Sequence, residues 1–322
     1  MKEEKSPASG GVSFYEIDEN NLGQRVDNFL LGMLKGVPRS KIYSIIRKGE
    51  VRINKGRTRA EYKLQLGDVV RVPPVRVDVS SELASVPGRV ADALISAILY
   101  EDENFIVINK PAGIAVHGGS GLNFGVIEAF RAARPESKFL ELVHRLDRDT
   151  SGCLMLAKKR AGLTFIHEAL RTGRVKKIYH ALVDGSWPSY LTQVDAPLKK
   201  NELKSGERVV KVDKEGKASL TEFRVLTRFD SVTLVQASPI TGRTHQIRVH
   251  AAFKGHPILG DEKYATDEIN DKLKVACVKR LMLHAAELTF SIPGEHKKVV
   301  VSAPYDDKFS KVLNALNKNM EK

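Results

Sequence analysis

Residues 142–159 read "LVHRLDRDTSGCLMLAKK". The run Leu154, Met155, Leu156, Ala157 has the pattern of a strand entering a core. Directly ahead of it stand His144, Arg145, Asp147, Arg148, Asp149, Thr150, Ser151 and Gly152. A dense polar cluster therefore sits at the mouth of a core element.

Working outward, "FIVINKPAG" gives a strand over Phe105–Asn109 that turns at Lys110-Pro111 and Gly113, and "FGVIEAFRAARP" gives a helix stopped by Pro135. After the cluster come a helix near "RAGLTFIHEALRTG", the strand "KKIYHALVDG", and the alternating strands "TEFRVLTRF" and "SVTLVQASP". "TGRTHQIRVHAAFKG" reads as a helix capped near Thr241 and closed by Gly255. "LMLHAAELTF" and "KKVVVSAP" supply late strands, and Phe309, Val312, Leu313 and Leu316 mark a final helix. Many strands with few helices, not alternating one to one, predict an α+β domain with a mixed, largely antiparallel sheet over residues 98–322.

A smaller unit precedes it. Val26, Phe29, Leu30, Met33 and Leu34 fall at helical spacing with Gly36 as the stop. Ile42, Ile45 and Ile46 mark a second helix, with Ser40 as its cap and Gly49 as its terminator. "VRIN", a turn around Lys55-Gly56-Arg57, and "DVVRVPP" complete a unit spanning residues 13–76. Residues 1–12 read as a disordered tail, and residues 77–97 as a linker with a short helix in "RVADALI".

The chain has 322 residues, 42% of them hydrophobic, enough for two domains with real cores. Lysine and arginine exceed acidic residues by 13, which favours a polyanionic partner, nucleic acid ahead of an anionic membrane surface. Eleven basic residues against three acidic ones fall between Arg39 and Arg76, so most of the excess sits in the small unit. Arg39, Lys41, Arg47, Lys48, Arg52, Lys55 and Arg57, one sign of charge on a helix and its adjoining hairpin, suit phosphate contacts. No apolar run is long enough for a spanning helix and the first residues carry no secretory pattern, so a cytoplasmic protein with no membrane partner is expected. Cys153 and Cys277 lack the spacing of a disulfide framework or zinc site and read as buried small hydrophobes. No heptad pattern points to an oligomer, and a monomer is expected.

There is no GxSxG elbow, phosphate-binding lysine loop or HExxH pair, so serine hydrolase, ATPase and zinc protease lose their usual support. "HRLD" matches part of a kinase catalytic loop but lacks a preceding glycine-rich loop. Carboxylates two residues apart seldom face each other as a glycosidase pair must. Two readings of Asp147 remain: a carboxylate kept anionic by neighbouring arginines, or a surface turn in which Asp147, Arg148 and Asp149 satisfy one another. In "TGRTHQIRVH", Thr244, His245 and Arg248 share a helix face and either converge on one site or form a phosphate-contacting helix. Tyr179 shares a sheet face with Lys177 and Ala181, as a core residue or a site residue.

The succession of "HRLDRDTSG", "KIYHALV" and "PITGRTHQIRVHAAFKGHPILGD", behind a helix-helix-hairpin unit similar to the alpha-L RNA-binding motif, resembles the RluA-type pseudouridine synthases. The resemblance extends over nearly the whole chain beyond the first dozen residues. Shared stretches such as "LKGVPRSKIY", "AVHGGSG" and "SGER" point within that family to enzymes acting on large-subunit ribosomal RNA. It implies an isomerase that breaks the uridine N1–C1′ bond and joins C5 to C1′, with no metal and no cofactor. By motif match Asp147 is its catalytic carboxylate, Arg248 the basic residue paired with it, and Tyr179 the tyrosine that stacks on uracil. Arg145 matches the position that fills the space left by an extruded base, and Thr150 and Ser151 are expected to fix the loop by hydrogen bonds. The competing reading is a non-catalytic RNA-binding factor in ribosome assembly; a magnesium-dependent nuclease is weaker, because no carboxylate cluster surrounds the motif.

Overall fold

A computed structural model describes residues 11–34, 37–75, 86–118, 124–202, 208–266, 278, 280–295 and 297–320. The chain divides into two compact units, the first made of the described residues before Val86 together with Lys159–Ala161 and the second of the remainder from Val86 onward.

The first unit contains β1 (Ser13–Glu16), α1 (Val26–Met33), α2 (Arg39–Arg47), β2 (Arg52–Ile53), β3 (Gly56–Arg57) and β4 (Val69–Val72). The strands form an antiparallel sheet ordered β1-β4-β2-β3. Its core is the apolar face anticipated on the two helices: Val26, Phe29, Leu30, Leu34, Ile42, Ile45 and Ile46, closed over Leu64 and Val70. Two local readings are corrected. Ser40 does not cap α2; Pro38, with its fixed φ and extended ψ, occupies the cap position and Ser40 lies inside the helix. The hairpin turn is Asn54-Lys55, both at left-handed φ, so Gly56 and Arg57 already belong to β3. Gly49, at φ 73°, ends α2 as anticipated. The stop assigned to Gly36, the tail up to residue 10 and Cys277 lie outside the described residues.

The second unit begins with α3 (Gly88–Ser96), β5 (Ile98–Glu101), β6 (Phe105–Lys110), α4 (Val126–Ala133), β7 (Glu141–Leu142), β8 (Ser151–Ala157) and α5 (Arg160–Arg171). It continues with β9 (Lys176–Asp184), β10 (Gln193–Asp195), β11 (Leu198–Glu202), β12 (Arg208–Val212), β13 (Leu220–Arg228) and β14 (Val232–Pro239). The last elements are α6 (Gln246–Phe253), β15 (Leu283–Ser291), β16 (Lys298–Ser302) and α7 (Asp307–Met320). The helix expected inside the linker is α3, but Leu94 is buried in the same core as β6 and β8, so the second unit reaches back to Val86 rather than starting at Ile98.

The large sheet runs β10-β13-β14-β9-β15-β8-β6-β5, and β15 with β8 is its parallel pair among the described residues. That pair spans only Ser151-Gly152 against His284-Ala285, after which β15 turns to β16 and β8 to β7. The sheet thus parts into two halves, each with its own core, one around Phe105, Leu154 and Phe130, the other around Trp187, Val235 and Phe309. The loop carrying Asp147 enters β8 where the halves separate. Gly152 is obligatory there: it sits at φ 105°, and a Cβ would fall 2.2 Å from the Ala285 carbonyl oxygen.

Candidate active site

Asp147 lies at the meeting point of two cavities, of about 1300 and about 580 Å³, which share Arg145, Leu146, Asp147, His245 and Arg248 in their linings. The smaller cavity also takes in Lys177 and Tyr179 from β9, and Asp147 is its sole carboxylate among five lysine and arginine side chains.

The carboxylate is gripped from α6. Arg248 donates from Nη1 to Asp147 Oδ2 at 3.1 Å, and from Nε and Nη2 to both oxygens of Asp261 at 2.8 Å each. The Asp261 side chain is fully sealed, and its Oδ1 also accepts the backbone N–H groups of Lys263 and Tyr264. Burial works against the charge of Arg248, but the hydrogen bonds and charges of Asp261 and then Asp147 outweigh it and raise its pKa above the ordinary arginine value. A bidentate fork fixed on one side by Asp261 leaves its remaining donor aimed at Asp147.

His245 closes the other side. Its Nε2 is 3.8 Å from Asp147 Oδ1 and its Nδ1 is 2.7 Å from the Tyr264 hydroxyl, which accepts the Val210 N–H. Burial lowers the His245 pKa, with the charge of Asp147 opposing. Its backbone is left-handed, at φ 53° and ψ 20°, a conformation a β-carbon disfavours by about 1–2 kcal/mol and one concentrated at functional sites. This corrects the reading of residues 241–255 as one helix: α6 starts at Gln246, so Thr244 and His245 lie ahead of it. Thr241 caps nothing, its hydroxyl going to Gln246 Oε1.

The loop before β8 is pinned from several directions. Lys110, completely buried, donates to the carbonyls of Pro111, Ile114 and Arg148 at 2.8, 2.9 and 3.0 Å, and the Gly113 N–H also reaches Arg148 O. The Thr150 N–H closes a turn onto Asp147 O. Ser151 Oγ lies 2.8 Å from His284 Nδ1 and accepts from Arg280 Nη2. Because His284 Nε2 faces the Ala303 carbonyl and must carry the proton, the Ser151 hydroxyl donates to Nδ1; this buried pair fastens the strand. Of the neighbouring charges, Arg148 and Asp149 pair with each other at the surface, so the self-satisfied turn holds for those two but not for Asp147.

Tyr179 lines the smaller cavity half-buried, its hydroxyl without a partner among the described residues. Burial and then the charge of Asp147 raise its pKa. Arg145 is exposed at the cavity rim. The structure therefore gathers Asp147, Tyr179, Arg248 and Arg145 in one place. Arg39, Lys41, Arg47, Lys48, Arg52, Lys55 and Arg57 belong to the other unit, where all seven are exposed and none forms an ion pair among the described residues. Asp261, Lys110 and Tyr264 were missed by sequence reasoning; the spacing Arg248 to Asp261 carries no periodic signal, though "GD" after an apolar "PIL" was a visible oddity.

Among the described residues no helix is long and apolar enough to cross a membrane, and no three metal-ligating side chains cluster. Residues 104–253 match the RNA pseudouridylate synthase family and residues 24–70 the S4 domain. The chain belongs to the RNA pseudouridylate synthases, with an S4 domain as its first unit. It is 55% identical over 310 residues to the ribosomal large subunit pseudouridine synthase C of Yersinia pestis, covering 96% of this chain and 97% of the relative. The enzyme of the same name from Haemophilus influenzae is 51% identical over 320 residues, 99% of each chain. The solved structure of human RNA pseudouridylate synthase domain containing 4 superposes with a TM-score of 0.59 at 28% identity, covering 71% of this chain and 96% of the human one.

Proposed function

We propose that this protein converts specific uridines of large-subunit ribosomal RNA to pseudouridine without a cofactor, with Asp147 as the catalytic carboxylate. The observation that carries this reading is the Asp147 carboxylate at the junction of two cavities, paired with an arginine that a sealed second aspartate holds in place. The reaction is an isomerisation, with no net redox change and no water consumed, so one well-placed anion suffices as its centre. Attack on carbon and abstraction of a proton both require an anion at this point. Tyr179 offers a ring face to uracil beside it, and Arg145 a planar cation for the gap left in the RNA stack. The seven exposed cations of the S4 unit hold the phosphate backbone. The choice of ribosomal RNA rests on the relatives, which bear that substrate in their names.

The test is tritium release from large-subunit ribosomal RNA transcripts labelled at uridine C5, using dialysed protein with and without EDTA. Release that is indifferent to EDTA is the expected result. No release from large-subunit, small-subunit or transfer RNA, with binding intact, would favour the non-catalytic RNA-binding factor instead.

A further inference from the structure

The cavity lined by Tyr179 holds more positive charge than Asp147 can absorb. Most of it is already committed. Arg248 donates from all three of its nitrogens to Asp147 and Asp261, Arg171 pairs with Glu168, and Arg243 donates to the Ala218 carbonyl. Arg145 is exposed at the rim. Lys177 differs from all of these: it is half-buried, lies two residues before Tyr179 on the same face of β9, and has no hydrogen-bond or ion-pair partner among the described residues. Tyr15 Oη is the one side-chain atom there that is both sealed and unpartnered, so the Lys177 ammonium keeps accessible surface. Burial alone lowers its pKa, with no carboxylate opposing. Its neighbour His144 is held neutral, burial first and Lys177's charge second taking its pKa down to about 4, while its Nε2 accepts the Met155 N–H. An accessible ammonium in a cavity wall, with no acceptor among the described residues, is free to bond an oxygen with negative charge that enters the cavity.

We infer that Lys177 is a catalytic residue whose ammonium donates a hydrogen bond to the uracil ring and stabilises the negative charge that ring carries while detached from the ribose. The inference rests on the isomerase reading above. When the N1–C1′ bond breaks, its electron pair stays on N1 and spreads to O2 and O4; C1′ becomes electron-poor beside Asp147. After the ring turns, C5 bonds to C1′, the C5 proton leaves and N1 gains a proton, so the atoms of uridine are conserved. Lys177 stays protonated throughout. A cation already neutralised by two carboxylates, as Arg248 is, cannot serve this purpose, and an unpaired one in a low-dielectric wall can.

The test compares wild type, Lys177→Met, Lys177→Gln and Lys177→Arg in single-turnover pseudouridine formation at saturating RNA, with RNA affinity and Tm measured on the same preparations. Removing one preorganised donor to a developing anion costs on the order of 10²-fold in rate. Met and Gln are expected to show that loss with RNA affinity within about twofold and Tm unchanged or higher, since an unpartnered charge has left the wall. Arg is expected to recover most of the rate. Retention of rate within about threefold in Lys177→Met would overturn the role, as would equal losses in all three variants with a lowered Tm. A weakened affinity at unchanged saturated rate would overturn it too, placing Lys177 on a phosphate. Inactive wild type on every RNA would remove the isomerase reading itself.

Discussion

Replacing Asp261 by Asn isolates the part of the site that no motif announced. Asn keeps Oδ1, and with it the bonds to Arg248 Nη2 and to the N–H groups of Lys263 and Tyr264. It sets an NH2 group where Oδ2 accepted Arg248 Nε at 2.8 Å, so two donors face each other in a sealed position. Losing a partner from a buried pair costs about 3–5 kcal/mol when the other charge is left alone. Arg248, 10% exposed, still has Asp147, so the expected loss is smaller, about 2–3 kcal/mol, close to that of one charge-assisted hydrogen bond. The guanidinium then relaxes toward Asp147 and alters the geometry of that carboxylate, and a displacement of about 1 Å is enough for a rate loss on the order of 10²-fold. Urea unfolding followed by circular dichroism reads the stability, with the slope m unchanged, and single-turnover pseudouridine formation reads the rate. A variant within about 0.5 kcal/mol of wild type and fully active would refute the clamp.

Three further outcomes are expected. Lys110→Met takes the shared donor from the carbonyls of Pro111, Ile114 and Arg148, the last of which keeps the Gly113 N–H, and should cost about 2–3 kcal/mol in urea unfolding; a loss under about 1 kcal/mol would show that the loop is not pinned there. His284, fully buried, has its pKa pushed by burial from the ordinary 6.5 down to about 4. Between those values the unfolded chain binds the extra proton, so its contribution is full above pH 6.5 and falls as the pH drops toward 4, by about 3 kcal/mol. Urea midpoints across that window check the trend, and a His284 ring that titrates near 6.5 by NMR in the folded protein would contradict it. Substituting Arg39, Lys41, Arg47 and Lys48 by Gln should flatten the salt dependence of RNA binding by about 3 in log–log slope while sparing the saturated rate; an unchanged slope would remove these residues from the phosphate interface.

What the sequence disclosed follows physical range. Periodicity located β8, β6, β9 and the faces of α1 and α2, because burial imprints itself on consecutive residues. The motif match brought Asp147, Tyr179, Arg145 and Arg248 together. Contacts between distant segments were not legible: Ser151 with His284 spans 133 positions and Lys110 with the Arg148 carbonyl spans 38. His245 was assigned to a helix because its spacing to Arg248 fits 3.6 residues per turn, yet its left-handed backbone precedes the helix. Strands β11 and β12 carry polar residues in both registers with no clean alternation, and β10, at three residues, is too short to announce itself.

The most direct measurement of the central claim is single-turnover pseudouridine formation by Asp147→Asn, made beside RNA affinity and Tm on the same preparation. The carboxylate is removed while its shape and its bond from Arg248 can persist. A rate at background with RNA affinity within about twofold of wild type is expected. Pseudouridine formed by the folded variant at more than about a tenth of the wild-type rate would contradict Asp147 as the group on which the chemistry depends.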